Sequence, residues 1–261
     1  MKRLLAIATL AALGCSENRT PDQAPASDIV FDCLPDLDGA LTAAELPVAL
    51  ERPISYLVDS DIAVELDGPS WSFEAPPARS ELVQAHDLDG TWYQSEFPGA
   101  HFAVPLRPGQ DSPIEGVYSL EDDGLFLHGV AARDLAEGLE TVWSYRTPVA
   151  LLRLPLSAGD SWTEVGEAEG LIDGSPYAAT DSYEISALAA GPLEVPGAGF
   201  EPAVRVSTLV TTEPAVSGQV VTSRQDSFYF ECFGELVRTI SRSGENQRDY
   251  PVAELLLRID L

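Results

Sequence analysis

The sequence predicts an all-β protein: antiparallel, with roughly a dozen strands in a curved sheet, half-barrel or sandwich, and a short helical turn near the N-terminus. Short runs of β-branched and aromatic residues recur along the chain, and many of them alternate apolar with polar positions. Gly, Pro and Asp interrupt these runs about every eight to fifteen positions. No long window carries helical periodicity. With 261 residues the chain can bury a large core, as one β-domain or two small ones.

The first fourteen residues have the layout of an export signal. Lys2 and Arg3 precede an uncharged run from Leu4 to Leu13, which is too short to cross a bilayer as a helix. A basic start, a short apolar run and a small residue, Gly14, together indicate a secretory signal peptide at 1–14.

The end of this segment, Ala12-Leu13-Gly14-Cys15, resembles the lipobox of bacterial lipoproteins. In that family the cysteine is lipidated and begins the mature chain. The resemblance therefore implies that Cys15 carries acyl chains such as palmitate, which would anchor the protein to a membrane. Ser16 follows the cysteine in place of the Asp that retains such proteins in the inner membrane, so the resemblance implies an outer-membrane lipoprotein of the cell envelope, facing the periplasm or the surface. The alternative is an ordinary secretory signal that is cleaved nearby.

Charge excludes several classes of partner. The formal net charge is -27, and it becomes about -29 once Lys2 and Arg3 are removed with the signal. Such acidity argues against binding nucleic acid, because phosphates would be repelled. It also disfavours lying flat on anionic lipid.

Three cysteines are present. If Cys15 carries lipid, Cys33 and Cys232 remain as a pair, and an exported compartment favours a disulfide between them. The alternative is two buried thiols, since free cysteine is often a small core residue.

Residues 15–28 form a polar segment without large apolar side chains, which predicts a flexible tether.

Residues 29–50 resemble the back half of an EF-hand: with Gly39 at the sixth loop position, Asp36, Asp38 and Glu45 fall where calcium ligands belong. The first position is Leu34 rather than Asp, and no helix precedes the loop. The alternative needs no metal: Asp-Gly forms a tight turn, and Thr42 caps a short helix together with Glu45.

The remaining residues, 51–261, are predicted to form an antiparallel β domain, with two sub-sheets that would divide near 110–150 as one option. Hairpins are expected around Pro98-Gly99, between runs Thr91 to Phe97 and His101 to Leu106, and around residues 121–124. A further turn is expected at residues 233–235.

Three phrases carry a second resemblance: LRLPLSAGDSW, VPGAGFEPAVRV and FECFGELVRTIS, which lie between residues 152 and 241. They resemble a pattern in bacterial exported proteins that have no assigned activity. The whole layout, including the degenerate EF-hand-like start, resembles lipoproteins of predatory and soil-dwelling bacteria. These resemblances imply a curved antiparallel sheet akin to the half-barrels of lipoprotein carriers. They imply no catalytic residues.

No recognised catalytic motif is present. The chain lacks a G-x-S-x-G elbow, an H-E-x-x-H helix, a P-loop and a dinucleotide-binding glycine pattern. His86, His101 and His128 have no metal-site spacing. We therefore expect a non-enzymatic, lipid-anchored β-domain that binds an apolar small ligand or an envelope protein, or that serves the envelope structurally. The alternatives are a calcium-stabilised module and an exported hydrolase.

Overall fold

The computed structural model describes residues 33–48, 50, 52–74, 79–109, 114–216 and 218–261. The predicted signal peptide, the lipidation site Cys15, the tether and residues 29–32 of the EF-hand-like stretch lie outside the described residues.

The described residues form sixteen strands: β1 (Ala40–Leu41), β2 (Ile54–Ala63), β3 (Trp71–Ser72), β4 (Arg79–Val83), β5 (His86–Asp87), β6 (Phe102–Pro105), β7 (Ile114–Glu121), β8 (Gly124–Ala132), β9 (Val142–Arg153), β10 (Leu156–Ser157), β11 (Ser161–Ile172), β12 (Ser175–Val195), β13 (Ala198–Pro214), β14 (Val221–Phe230), β15 (Gly234–Ser241) and β16 (Val252–Ile259). Two single 3-10 turns, Ala43–Glu45 and Gln94–Glu96, complete the secondary structure. Neither turn is long or apolar enough to cross a bilayer, and the part of the chain that the structure describes has no helix that is.

Fourteen strands form one large curved sheet in the order β4-β2-β16-β15-β14-β13-β12-β11-β9-β8-β7-β6-β5, with β3 beside β12. The pairs along this order are antiparallel, so the predicted fold class is confirmed. The sheet runs without interruption through β7, β8 and β9. Its edge strands, β4 and β5, do not pair with each other, but only residues 84 and 85 separate them in the chain. The ends of the two edges therefore lie within about 10 Å of each other.

Local signals located one hairpin correctly and misplaced another. The β7–β8 hairpin turns through Asp122 and Asp123, as predicted. The predicted strand Thr91 to Phe97 is wrong: this run contains the 3-10 turn Gln94–Glu96, and β6 pairs with β5 instead. Tyr93 and Phe97 belong to a small core cluster, so the run packs its rings inward as a compact loop rather than as a strand.

The first described residues are fastened to the sheet at several points. Cys33 and Cys232 form a disulfide, which confirms the predicted bond. β1 pairs with β10, and the backbone N–H of Cys232 donates a hydrogen bond to the carbonyl of Glu45. The predicted short helical turn is present as Ala43–Glu45.

Strand β14 separates two environments. Phe228 and Phe230 contact a cluster that also includes Trp71, Phe73 and Tyr250, which we call the packed cluster. The alternate residues of β14, among them Ser227 and Tyr229, line a cavity instead.

Candidate functional site

The most prominent concave feature in the described part of the chain is a cavity of about 470 Å³ on the inner side of the curved sheet. Its wall comes from β2, β6 to β9 and β12 to β15, with Leu46, Pro47 and Val48 along one border. Most of the lining side chains are aliphatic or aromatic. This volume lies within the usual range for small-molecule sites, roughly 300–1,000 Å³.

Strand alternation explains why these residues share one wall. Along β13, residues 206, 208, 210 and 212 line the cavity, whereas the side chain of Leu209 lies on the opposite face of the sheet. The fourteen-stranded sheet curves around this face without hydrogen bonds between its two edge strands, so the cavity is the concave side of an open sheet.

Only three charged residues are among the described residues that line the cavity: Asp181, Glu235 and Arg238. The Nε of Arg238 donates to Glu235 Oε1 at 2.9 Å, and a second guanidinium nitrogen donates to Oε2. Burial opposes the charged guanidinium, but the charge and hydrogen bonds of Glu235 hold the pKa of Arg238 above its usual value. Arg238 and Glu235 therefore neutralise each other within the wall.

Asp181 lies on β12 with only 4% of its surface exposed. The Tyr145 hydroxyl donates to Asp181 Oδ2 at 2.6 Å, and the hydroxyls of Tyr145 and Tyr183 are 2.7 Å apart. Because Tyr145 has one proton and directs it at the carboxylate, Tyr183 is the donor in the second bond. Burial raises the pKa of both tyrosines, so both hydroxyls keep their protons at neutral pH.

The other carboxylate oxygen of Asp181, Oδ1, is buried and has no hydrogen-bond partner among the described residues. No salt bridge joins Asp181 to a cation in that same part of the chain. Gly166 lies opposite Asp181 in the β11–β12 pair, and a Cβ atom at this position would lie 2.5 Å from the Tyr145 ring. The absence of a side chain at 166 therefore allows Tyr145 to approach Asp181.

Two further rings extend this cluster along the cavity wall. The ring centroids of Trp143 and Tyr145 are 5.2 Å apart, and those of Trp143 and Tyr177 are 5.9 Å apart. The Tyr145 and Tyr183 centroids are 6.4 Å apart with planes at 80°. All four rings line the cavity together with Asp181.

Sequence reasoning did not single out Asp181, although a signal was present. Ala179, Asp181, Tyr183, Ile185 and Ala187 alternate on the buried side of β12. A charged residue at a strand position that faces the interior loses its hydration, so other groups must offset the free-energy cost of burying its charge. Tyr145 precedes Asp181 by 36 residues, so its contact with Asp181 depends on the sheet order and not on local sequence.

The predicted calcium ligands are only partly brought together. The Oε2 atom of Glu45 accepts bonds from the backbone N–H of Thr42 at 2.9 Å and from its hydroxyl at 2.7 Å, which forms the capping box of the alternative interpretation. Asp36 and Asp38 lie close to the buried Glu231 instead.

Glu231 accepts a bond from the backbone N–H of Leu37 at 2.7 Å. Sequence reasoning did not include Glu231 in this group. The signal was available, because the predicted disulfide places Cys232 beside Cys33 and therefore brings Glu231 to the same turn.

The histidines are not part of the cavity wall. His128 contacts Ser119, and His101 faces Glu121 at the surface. His86 contacts the fully buried Glu115, which also accepts bonds from Arg133 and Tyr93. Burial opposes ionisation of Glu115, but these partners hold its pKa below the usual value, and the hydrogen bond to Glu115 raises the pKa of His86. This cluster of shifted pKa values is a satisfied ion network at the sheet edge, away from the cavity.

Comparison of the chain with protein-family models, curated proteins and solved structures finds no match.

Proposed function

We propose that this protein is an exported, lipid-anchored β-domain that binds a largely apolar small molecule in its cavity. The observation that supports the proposal most strongly is the apolar cavity of about 470 Å³ within the curved sheet. An open cavity lined by apolar side chains leaves them in contact with water and without the dispersion contacts of a packed interior. An apolar ligand would restore those contacts and remove its own surface from water.

A binding role fits the chemistry of the lining better than a catalytic one. The described lining residues include no histidine and no cysteine. The network of shifted pKa values around Glu115 lies outside the cavity, and within the wall the shifted groups are the ion-paired Arg238 and tyrosines such as Tyr145 and Tyr183, whose pKa values are raised by burial. The hydroxyl that lies beside a carboxylate in the described wall is that of Tyr145, and burial raises its pKa, which makes it a weak nucleophile.

The proposed anchor and compartment depend on the first fifteen residues. The lipobox-like segment supports acylation of Cys15, and the Cys33–Cys232 disulfide suits an oxidising compartment. The intact mass of the membrane-extracted protein tests both points. We expect a chain that begins at Cys15, carries added acyl mass and lacks the two hydrogens of the disulfide. A Cys15→Ser variant should lose the acyl mass; an unmodified Met1 start would contradict this part of the proposal.

Ligand binding can be tested by thermal unfolding of the purified full chain in nanodiscs of zwitterionic lipid. A water-soluble apolar probe, 1-octanol, should raise the midpoint of unfolding, because it binds the folded state alone. Thr208→Trp places an indole in the cavity and should abolish the shift. The matched control is Leu209→Trp, which puts the same ring on the opposite face of β13 and should keep it. An octanol shift that is equal in both variants would show that the probe acts through the lipid, and would contradict the proposal.

A further inference from the structure

Asp181 requires a partner that the described chain does not supply. Its Oδ1 atom is buried with no hydrogen-bond donor, although the residue is 96% covered. A buried carboxylate oxygen without a donor is costly, and Tyr145 satisfies only Oδ2. Asp181 is one of the residues that line the cavity, and a ligand in the cavity supplies the missing donor once the side chains that cover Oδ1 move aside.

The charged residues of the lining indicate whether the donor group of the ligand is cationic or anionic. Glu235 and Arg238 form a close ion pair, so they leave no net charge on their part of the wall. Asp181 is then the one charge of the described lining without a counter-ion. A cation would neutralise it, whereas an anionic head group would face an uncompensated carboxylate.

The rings beside Asp181 favour the same sign. Four rings line the cavity together with Asp181 and form one contact cluster that includes its hydrogen-bond partner Tyr145; we call them the aromatic box: Trp143, Tyr145, Tyr177 and Tyr183. The faces of aromatic rings carry negative potential and attract cations. The Tyr145 and Tyr183 protons are engaged within the Asp181–Tyr145–Tyr183 chain, so these hydroxyls present only acceptor lone pairs to a ligand.

We propose that the cavity takes an amphiphile with a protonated amine as its head group, which donates an N–H bond to Asp181 Oδ1 inside the aromatic box. The apolar chain of this ligand lies against the aliphatic part of the wall. The inference rests on the proposed function and names its ligand class.

A matched set of eight-carbon probes tests the head group on the unmodified full chain: octylamine, octyltrimethylammonium, 1-octanol and octanoate, each titrated at pH 7 in the same nanodiscs. We expect octylamine to raise the unfolding midpoint at the lowest concentration, about tenfold or more below 1-octanol, because it adds a charge-assisted hydrogen bond. Octyltrimethylammonium should be weaker than octylamine, since it has no N–H. Thr208→Trp gives the baseline for effects through the lipid.

The outcomes separate the two proposals. If none of the probes shifts the midpoint beyond the Thr208→Trp baseline, the cavity does not bind apolar ligands and the proposed function fails. If 1-octanol or octanoate acts at the same concentration as octylamine, the cavity binds ligands but the amine assignment is wrong.

A pair of variants locates the effect. Asp181→Asn keeps the shape of the side chain and should abolish the preference for octylamine while the response to 1-octanol remains, which also shows that the variant is folded. The double variant Glu235→Gln, Arg238→Gln removes the other carboxylate of the lining together with its counter-ion and should retain the preference. Loss of the preference in this double variant but not in Asp181→Asn would move the amine away from Asp181 and overturn the inference.

Discussion

On one side of strand β14, Phe228 and Phe230 are buried in the packed cluster, and the buried charge there is compensated. Asp226, which is fully buried, lies 2.7 Å from the Nε of Arg205, and Arg205 also bonds Asp249 and the carbonyl of Leu66. On the other side of β14, the strand borders a cavity in which Asp181 has only a tyrosine.

Both sides belong to the same sheet, and each has a buried aspartate with one carboxylate oxygen, Oδ1 of Asp181 or Oδ2 of Asp226, that has no hydrogen-bond partner among the described residues, so the difference between them is the counter-ion. Burial opposes ionisation of Asp226 and raises its pKa, against the attraction of Arg205. Nothing comparable offsets Asp181 in the described residues. The ion-paired Asp226 beside the packed cluster contributes to stability. Asp181 in the cavity has no counter-ion among the described residues, and binding sites retain such groups at a cost in stability.

The largest effect should come from the disulfide, which holds residues 33–48, and with them one border of the cavity, to the end of β14. The Cys33→Ser, Cys232→Ser double variant should lose about 5 kcal/mol of unfolding free energy, because a loop of 199 residues is no longer closed in the unfolded chain. Urea denaturation of both proteins measures the loss. A change below about 1 kcal/mol would show that the other contacts of this segment suffice.

A smaller, pH-dependent effect is expected at His86, which belongs to the Glu115 network outside the cavity wall. His86 Nδ1 faces the carbonyl of Asp87 and Nε2 faces Glu115, so both nitrogens meet acceptors and the imidazolium is favoured. A raised pKa means that the stabilisation is complete below the ordinary value near 6.5 and is lost as pH rises through the raised value. His86→Gln should therefore cost about 1.5 kcal/mol at pH 5.5 and less at pH 9.

Unfolding free energies of the unmodified and His86→Gln proteins at these two pH values check the expectation. A difference that grows toward pH 9 would contradict it.

The smallest effect concerns Glu45, a predicted calcium ligand that the structure places in a capping box. Glu45→Ala should cost about 1 kcal/mol, equally in EDTA and in millimolar calcium, because the carboxylate bonds Thr42. Thermal unfolding in both buffers measures this, with Glu45→Gln as the control that keeps an acceptor. A calcium-dependent rise of the midpoint that Glu45→Ala removes would instead establish the calcium-stabilised module.

The sequence anticipated features with local or pairwise signals. Alternation and turn residues located the β7–β8 hairpin, and cysteine counting paired Cys33 with Cys232. The run Thr91 to Phe97 is not a strand, because a short run with aromatic residues also suits a loop that packs its rings on a core.

The cavity site could not be predicted from the sequence, for a different reason. Asp181, Tyr145 and Arg238 converge only through the order of β9, β12 and β15 in the sheet, which local patterns do not encode. The alternation along β12 marks Asp181 as a buried charge, but the groups that surround it are known only once the sheet order is known.

The central claim is that Asp181 binds a ligand, whereas Asp226 stabilises the fold. Unfolding free energies of ligand-free Asp181→Asn and Asp226→Asn, measured side by side in urea, test it most directly. We expect Asp226→Asn to lose about 3 kcal/mol, because Arg205 loses its buried counter-charge and keeps only the partly exposed Asp249. Asp181→Asn should lose nothing or gain stability, because an uncompensated buried charge is removed. An equal loss in both variants would contradict the claim and make Asp181 a structural residue.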